Sequence, residues 1–130
     1  MILLNNPPTV PLRGELKTVN YNAAPGHTNF VDVLSISGSG GKLAYVVCKG
    51  TTTDITIKIK LDDKQSNDLV VTSGTAVFIM LDVSDQYFKL KETTDFESLM
   101  LEFNNILLIQ AKQSTGTNAL MVKVFYQDDS

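Results

Sequence analysis

The chain is 130 residues long, 43% apolar and formally −3 in charge, with one cysteine and no tryptophan. That length fits one domain; the apolar fraction is too high and the net charge too small for a disordered chain, and a lone cysteine leaves packing without an internal disulfide to help it. Valine (12), isoleucine (8) and threonine (13) supply 33 residues while glutamate supplies 4; side chains branched at Cβ suit a pleated sheet better than a helix, so an all-β fold is expected.

At the start, Met1-Ile2-Leu3-Leu4 is apolar for four residues before Asn5-Asn6-Pro7-Pro8. A signal peptide needs a longer apolar stretch and a membrane helix needs about 20 apolar residues, so a soluble product made in the cytoplasm is expected, with no membrane partner. All four prolines (Pro7, Pro8, Pro11, Pro25) fall within the first 25 residues. Proline lacks the N–H that a central strand uses, so residues 1–28 are expected as an extended arm and residues 29–130 as the domain proper. Val10, Leu12, Leu16, Val19 and Tyr21 are the arm's apolar side chains and the candidate contacts between subunits. The arm either packs along its own domain or reaches onto a neighbouring copy.

From Asn29 onward short alternating runs are separated by turn residues. Phe30 to Ser37 alternates, with Phe30, Asp32, Leu34 and Ile36 on one face, and Gly38-Ser39-Gly40-Gly41 is expected to close a hairpin onto a strand over Leu43 to Lys49. Asp54 to Leu61 places a large aliphatic residue at every odd position and a polar one at every even position, the clearest strand signal in the chain. A polar loop over Asp62 to Asn67 and a short strand over Leu69 to Val71 follow. Ala76 to Leu81 is continuously apolar and is expected as a strand buried on both faces. Tyr87, Phe88 and Leu90 suggest an edge strand. In Phe96 to Phe103, apolar residues recur at 96, 99, 100 and 103, and Thr94 with Glu97 has the form of a capping box, both of which favour a helix; the strand-like neighbours on either side favour a strand. Ile106 to Lys112 and Ala119 to Gln127 read as the last two strands, the final one carrying Leu120, Val122, Val124 and Tyr126 on one face. About eight strands at this spacing predict an antiparallel, jelly-roll-like β-sandwich.

The search for chemistry returns bland assignments. Cys48 lies in the apolar run Tyr45-Val46-Val47-Cys48 and His27 in a proline-glycine turn, so a Cys–His nucleophile is not expected. One cysteine and one histidine cannot form a zinc site, and neither Asp62-Asp63 with Asp68 nor Asp82 with Asp85 has the spacing of a calcium loop. The glycines at 38–41 precede a strand instead of a helix, unlike a phosphate-binding loop. Residues 1–50 carry +2 and residues 51–130 carry −5, with Arg13 the only arginine, which speaks against nucleic acid as a partner. Lys58 and Lys60 are expected to serve solubility and edge protection. No catalytic, cofactor-binding or metal-binding residue is therefore assigned. A carbohydrate-binding sandwich used in host attachment is the alternative, provided that two or more of Tyr21, Tyr45, Tyr87 and Tyr126 cluster on one exposed face; a hydrolase would need acids gathered in one cleft.

One resemblance adds to this reading. Val33-Leu34-Ser35-Ile36-Ser37-Gly38-Ser39-Gly40-Gly41-Lys42-Leu43, Ile55-Thr56-Ile57-Lys58-Ile59, Phe96-Glu97-Ser98-Leu99-Met100-Leu101-Glu102-Phe103 and Val122-Lys123-Val124-Phe125-Tyr126 occur in an order that resembles accessory head and tail proteins of tailed bacteriophages. The resemblance spans about residues 30–127. It implies a non-enzymatic virion structural protein, made in the host cytoplasm, that forms a trimer or ring and attaches to other virion structural proteins of the head or tail.

Overall fold

The computed structural model describes residues 16–23, 28–50, 55–71, 76–82, 88–113 and 120–128. These form eleven strands: β1 (Lys17–Ala23), β2 (Val31–Ser37), β3 (Gly41–Gly50), β4 (Ile55–Leu61), β5 (Lys64–Gln65), β6 (Leu69–Val71), β7 (Val77–Leu81), β8 (Leu90–Thr93), β9 (Leu101–Phe103), β10 (Ile106–Gln113) and β11 (Leu120–Asp128). The six-stranded sheet has the order β1-β11-β3-β7-β8, with β9 also on β3; the five-stranded sheet has the order β2-β10-β4-β5, with β6 also on β4. All pairs are antiparallel, and the two sheets face each other across one core in a β-sandwich.

The core follows from alternation. Ile55, Ile57 and Ile59 are fully buried beside Leu61, Leu107 and Ile109 from the same sheet, and meet Leu43, Val46, Cys48, Val122 and Val124 from the other. Each aliphatic side chain buried this way stabilises the fold by about 1.5–3 kcal/mol. In β2 the expected alternation is broken: the register with β10 shifts between Ile109 and Gln110. Val33 and Leu34 consequently both pack toward the core, while Asp32 stays outside, bonded to Gln110 at 2.8 Å. A bulge of this kind bends the strand and re-aims successive side chains.

Part of the segment expected as an arm is a sheet strand. β1 pairs with β11 of the same chain from Lys17↔Tyr126 to Ala23↔Leu120, in a stretch that lies between Pro11 and Pro25 and so keeps its N–H groups. Lys17 Nζ lies 2.6 Å from Asp128. Val19 and Tyr21 pack against the chain's own core, Leu16 is 41% exposed, and Val10 and Leu12 lie outside the described residues.

The glycine run is a correction. Gly38-Ser39-Gly40-Gly41 does not close a hairpin: β2 belongs to the five-stranded sheet and β3 to the six-stranded one, so the run carries the chain across the sandwich. Gly38 takes φ +85°, and its N–H donates to the Asn105 carbonyl at 2.9 Å. Asn105 itself sits in a second crossover, between β9 and β10, so two crossovers lie side by side at one end of the sandwich.

Asp62 fastens this end. It occupies the two-residue turn between β4 and β5 with φ 57°, a conformation that aspartate tolerates better than most residues. Its Oδ1 accepts the N–H groups of Asn104, Asn105 and Ile106 at 3.1, 2.8 and 3.0 Å, and its Oδ2 accepts that of Asn104 at 3.0 Å. The expected polar loop is thus a clamp on the β9–β10 crossover. These N–H donors hold the carboxyl below its ordinary value of 3.8. A lowered folded value means that the stabilisation is present above the ordinary value and is lost as pH falls through the folded one. Asp62→Asn is expected to lower stability at neutral pH and to flatten the acid limb, as read from thermal unfolding of both proteins from neutrality down through the carboxylate range. An unchanged acid limb would remove Asp62 from this role.

Candidate interaction surface

The outward side of the six-stranded sheet can be laid out from register alone, because directly paired residues point to the same face. One cross-strand row runs Asn20, Lys123, Val47, Phe78, Thr93. The next runs Thr18, Phe125, Tyr45. Met80 and Lys91 pair on the same side between β7 and β8, and Met121 pairs with Lys49 between β11 and β3. Inward neighbours of these residues, Val46, Val77, Ile79, Val122 and Val124, are essentially inaccessible, which fixes the aromatic side chains as outward. The continuous apolar run at 76–81 is therefore not buried on both faces by a second layer. Its alternate members Phe78 and Met80 form part of an apolar outer surface.

Phe96 lies over this surface. Its ring centroid is 5.1 Å from that of Tyr45 and 5.0 Å from that of Phe78, and Tyr45 lies edge-on to Phe125 at 5.8 Å. These separations and tilts are the favourable ones for aromatic pairs. Yet Phe96 is 69% exposed, and Met121, further along the face, is 43% exposed. An apolar surface of this kind marks an interaction site more often than a chance exposure.

A bulge explains how Phe96 reaches its place. The β3–β11 register shifts so that Tyr45 faces Phe125 and Leu43 faces Tyr126, leaving Ala44 without an opposite residue on β11. On the other side, β3 pairs with β9 over Gly41–Leu43 and with β7 at Val47 and Cys48. In the gap between them the Ala44 carbonyl accepts the N–H of Leu99 at 2.8 Å and of Met100 at 3.4 Å. Leu99 then drops into the core, Met100 turns with φ 47°, and Phe96 is left above the sheet. Of the stretch expected as strand or helix over 96–103, only Leu101–Phe103 is a strand; 96–100 is an irregular loop whose shape is set by that carbonyl.

The opposite face of the sandwich differs. Lys58, Lys60, Gln110, Asp32 and Ser35 stand outward on the five-stranded sheet, and Phe30 is held between Lys58 Nζ at 4.2 Å and Lys112 Nζ at 4.8 Å from its ring centroid. This side is mixed, since Leu108 stands outward between Ser35 and Lys60, and Val70, paired with Thr56, is 47% exposed. Lys58 and Lys60 are not edge protection, because β4 has β10 on one side and β5 and β6 on the other.

An open cleft of about 1140 Å³ lies at the clamped end, lined by Asp62, Asp63, Asp82, Glu102, Lys64 and Lys89 together with Leu61, Leu81, Phe88 and Leu101. Two of its four acids have structural duties, Asp62 holding backbone N–H groups and Asp82 lying 3.9 Å from Lys89, while Asp63 and Glu102 are exposed. Cys48 is 1% exposed in the core, where burial first, and the charge of Glu92 second, push its thiol up to about 12, so it stays protonated. His27 lies outside the described residues. Among the described residues no group of three His, Cys, Asp or Glu side chains is placed to hold a metal ion, and no helix is long and apolar enough to cross a membrane. Of the tyrosines, Tyr45 stands on the outer face, Tyr21 and Tyr126 pack against the core, and Tyr87 lies outside the described residues.

No protein-family model matches the chain, and no curated protein or solved structure matches it either.

Proposed function

We propose that this is a non-enzymatic assembly protein that works by binding copies of itself. The observation that carries the reading is the aromatic outer face of the six-stranded sheet, topped by Phe96 at 69% exposure. That face carries charges of both signs, Lys123 on β11, Lys49 near the end of β3 and Lys91 on β8 with acids at Asp95 and Glu97, a mixture suited to meeting its own kind. Attachment to the head or tail of a phage particle, as a virion structural protein, is the narrower form of the reading and is supported by the resemblance in strand order alone.

Light scattering on the purified chain over a concentration series tests the proposal. The native protein is expected to self-associate, and Phe96→Ser to weaken that association by about tenfold or more, as loss of an aromatic anchor does. A native chain that stays monomeric at the highest attainable concentration would overturn it.

A further inference from the structure

We infer that two copies join face to face across the outer side of the six-stranded sheet, about a two-fold axis that lies in the contact plane and runs along the strands between β3 and β7. The inference rests on the assembly reading above and names the partner and geometry of that same surface.

The row Lys123, Val47, Phe78, Thr93 carries it. These four residues lie side by side on β11, β3, β7 and β8. At the Thr93 end the row is extended by Asp95, whose N–H donates to Thr93 Oγ1 at 3.1 Å. The row therefore reads cation, apolar, apolar, threonine, with the acidic residue Asp95 next to its far end. A two-fold axis along the strands reverses a row from left to right without moving it up or down the strand. Such an axis between β3 and β7 sets Lys123 of one copy opposite Thr93 and its neighbour Asp95 on the other, twice, and Val47 opposite Phe78, twice, with the two Phe96 rings between the sheets. An axis across the strands would instead set Lys123 against Lys123. Both end charges are on exposed residues, and Lys123 Nζ lies over the same outer face, 5.4 Å from the centroid of its own Phe125 ring.

The aromatic cluster supports the same axis. Phe96 bridges Tyr45 on β3 and Phe78 on β7, so it stands over the gap through which the axis passes and meets its own copy there. A contact between the two sheets' outer faces with strands aligned is the ordinary geometry of sheet-on-sheet packing. The charged rim also answers why the occupant is a second copy: one strip carries both the lysine and its complement in mirrored places, and an isologous contact requires a patch complementary to itself. Lys91, outward beside Met80 on the acidic side, and Lys49, near the end of β3, have no acid in the mirrored place among the described residues. The contact closes on pairs of copies, whatever larger ring those pairs build.

A charge exchange tests the geometry on the full chain. Lys123→Glu alone sets two carboxylates together at both ends of the contact, and Asp95→Lys alone sets two lysines together at both ends. Each variant is expected to lose about tenfold in self-association, since two exposed pairs turn from attractive to repulsive. An equimolar mixture restores complementary charges at both ends and is expected to associate as tightly as the native chain. Thermal unfolding of each variant, expected to match the native protein, shows that the fold is intact. If the native chain associates but neither variant weakens it, this face is not the contact and the assembly reading survives. If both weaken it and the mixture fails to recover, the two-fold arrangement is wrong. A native chain that never associates removes the inference and the reading together.

Discussion

Replacing Gly41 with alanine is expected to destabilise the protein by about 3 kcal/mol or more, at the upper end of what overpacking costs, and to lower the thermal midpoint by roughly 10 °C. Gly41 opens β3 at the end of the crossover between sheets, with Phe103 of β9 paired on one side and Asp128 of β11 on the other. A Cβ there would run into the Gln127 carbonyl oxygen and stand 2.7 Å from the Asp128 Cα. Both obstacles are backbone, so no change of rotamer relieves them, and β11 would have to leave its place beside β3. The glycine is required by close approach and not by a left-handed backbone, which distinguishes it from Gly38, whose φ is +85° and whose added Cβ would meet nothing within 4 Å. A Gly41→Ala protein with the native thermal midpoint would show that β11 does not lie this close.

Phe103→Ala is the second large effect, with an expected loss of about 3–5 kcal/mol on denaturant unfolding, the usual cost of deleting a buried ring and leaving a cavity. Phe103 is 2% exposed, at the point where β9 turns toward the second crossover. Seven residues earlier, Phe96 has the same side chain in the opposite situation, and its removal is expected to cost only about 1–2 kcal/mol from its two aromatic pairs while reducing self-association. A Phe103→Ala variant that unfolds at the native denaturant concentration would contradict the core assignment. The pair separates two uses of one residue type: Phe103 holds the chain together, and Phe96 offers the surface through which chains meet.

Parts of that surface were legible in the sequence. Phe78 and Met80 belong to an apolar run longer than one buried face needs, and such a run signals that the second face is covered by something; reading that cover as another layer of the same domain was the natural inference, and the layer is absent among the described residues. Phe96 carried no such signal, because its spacing to Leu99, Met100 and Phe103 suits a helix. What overrides the helix is the Ala44 carbonyl, exposed by a bulge in a strand more than fifty residues away in the chain. Similarly, Asp62 looked like an ordinary turn former, since its three N–H donors lie 42 to 44 positions further on.

By itself the sequence determined the all-β class and the inward faces of β4 and β11, because in a strand the choice of face depends only on whether a position is odd or even. Only the tertiary structure decided which strands share a sheet. The glycine run at 38–41 is equally able to make a hairpin or a crossover, and β1 can join its own sheet only because β11 offers a free edge at the matching register. Those decisions rest on pairings between residues far apart in the chain, and they also determine where a lysine, two apolar residues and a threonine come to lie in one row.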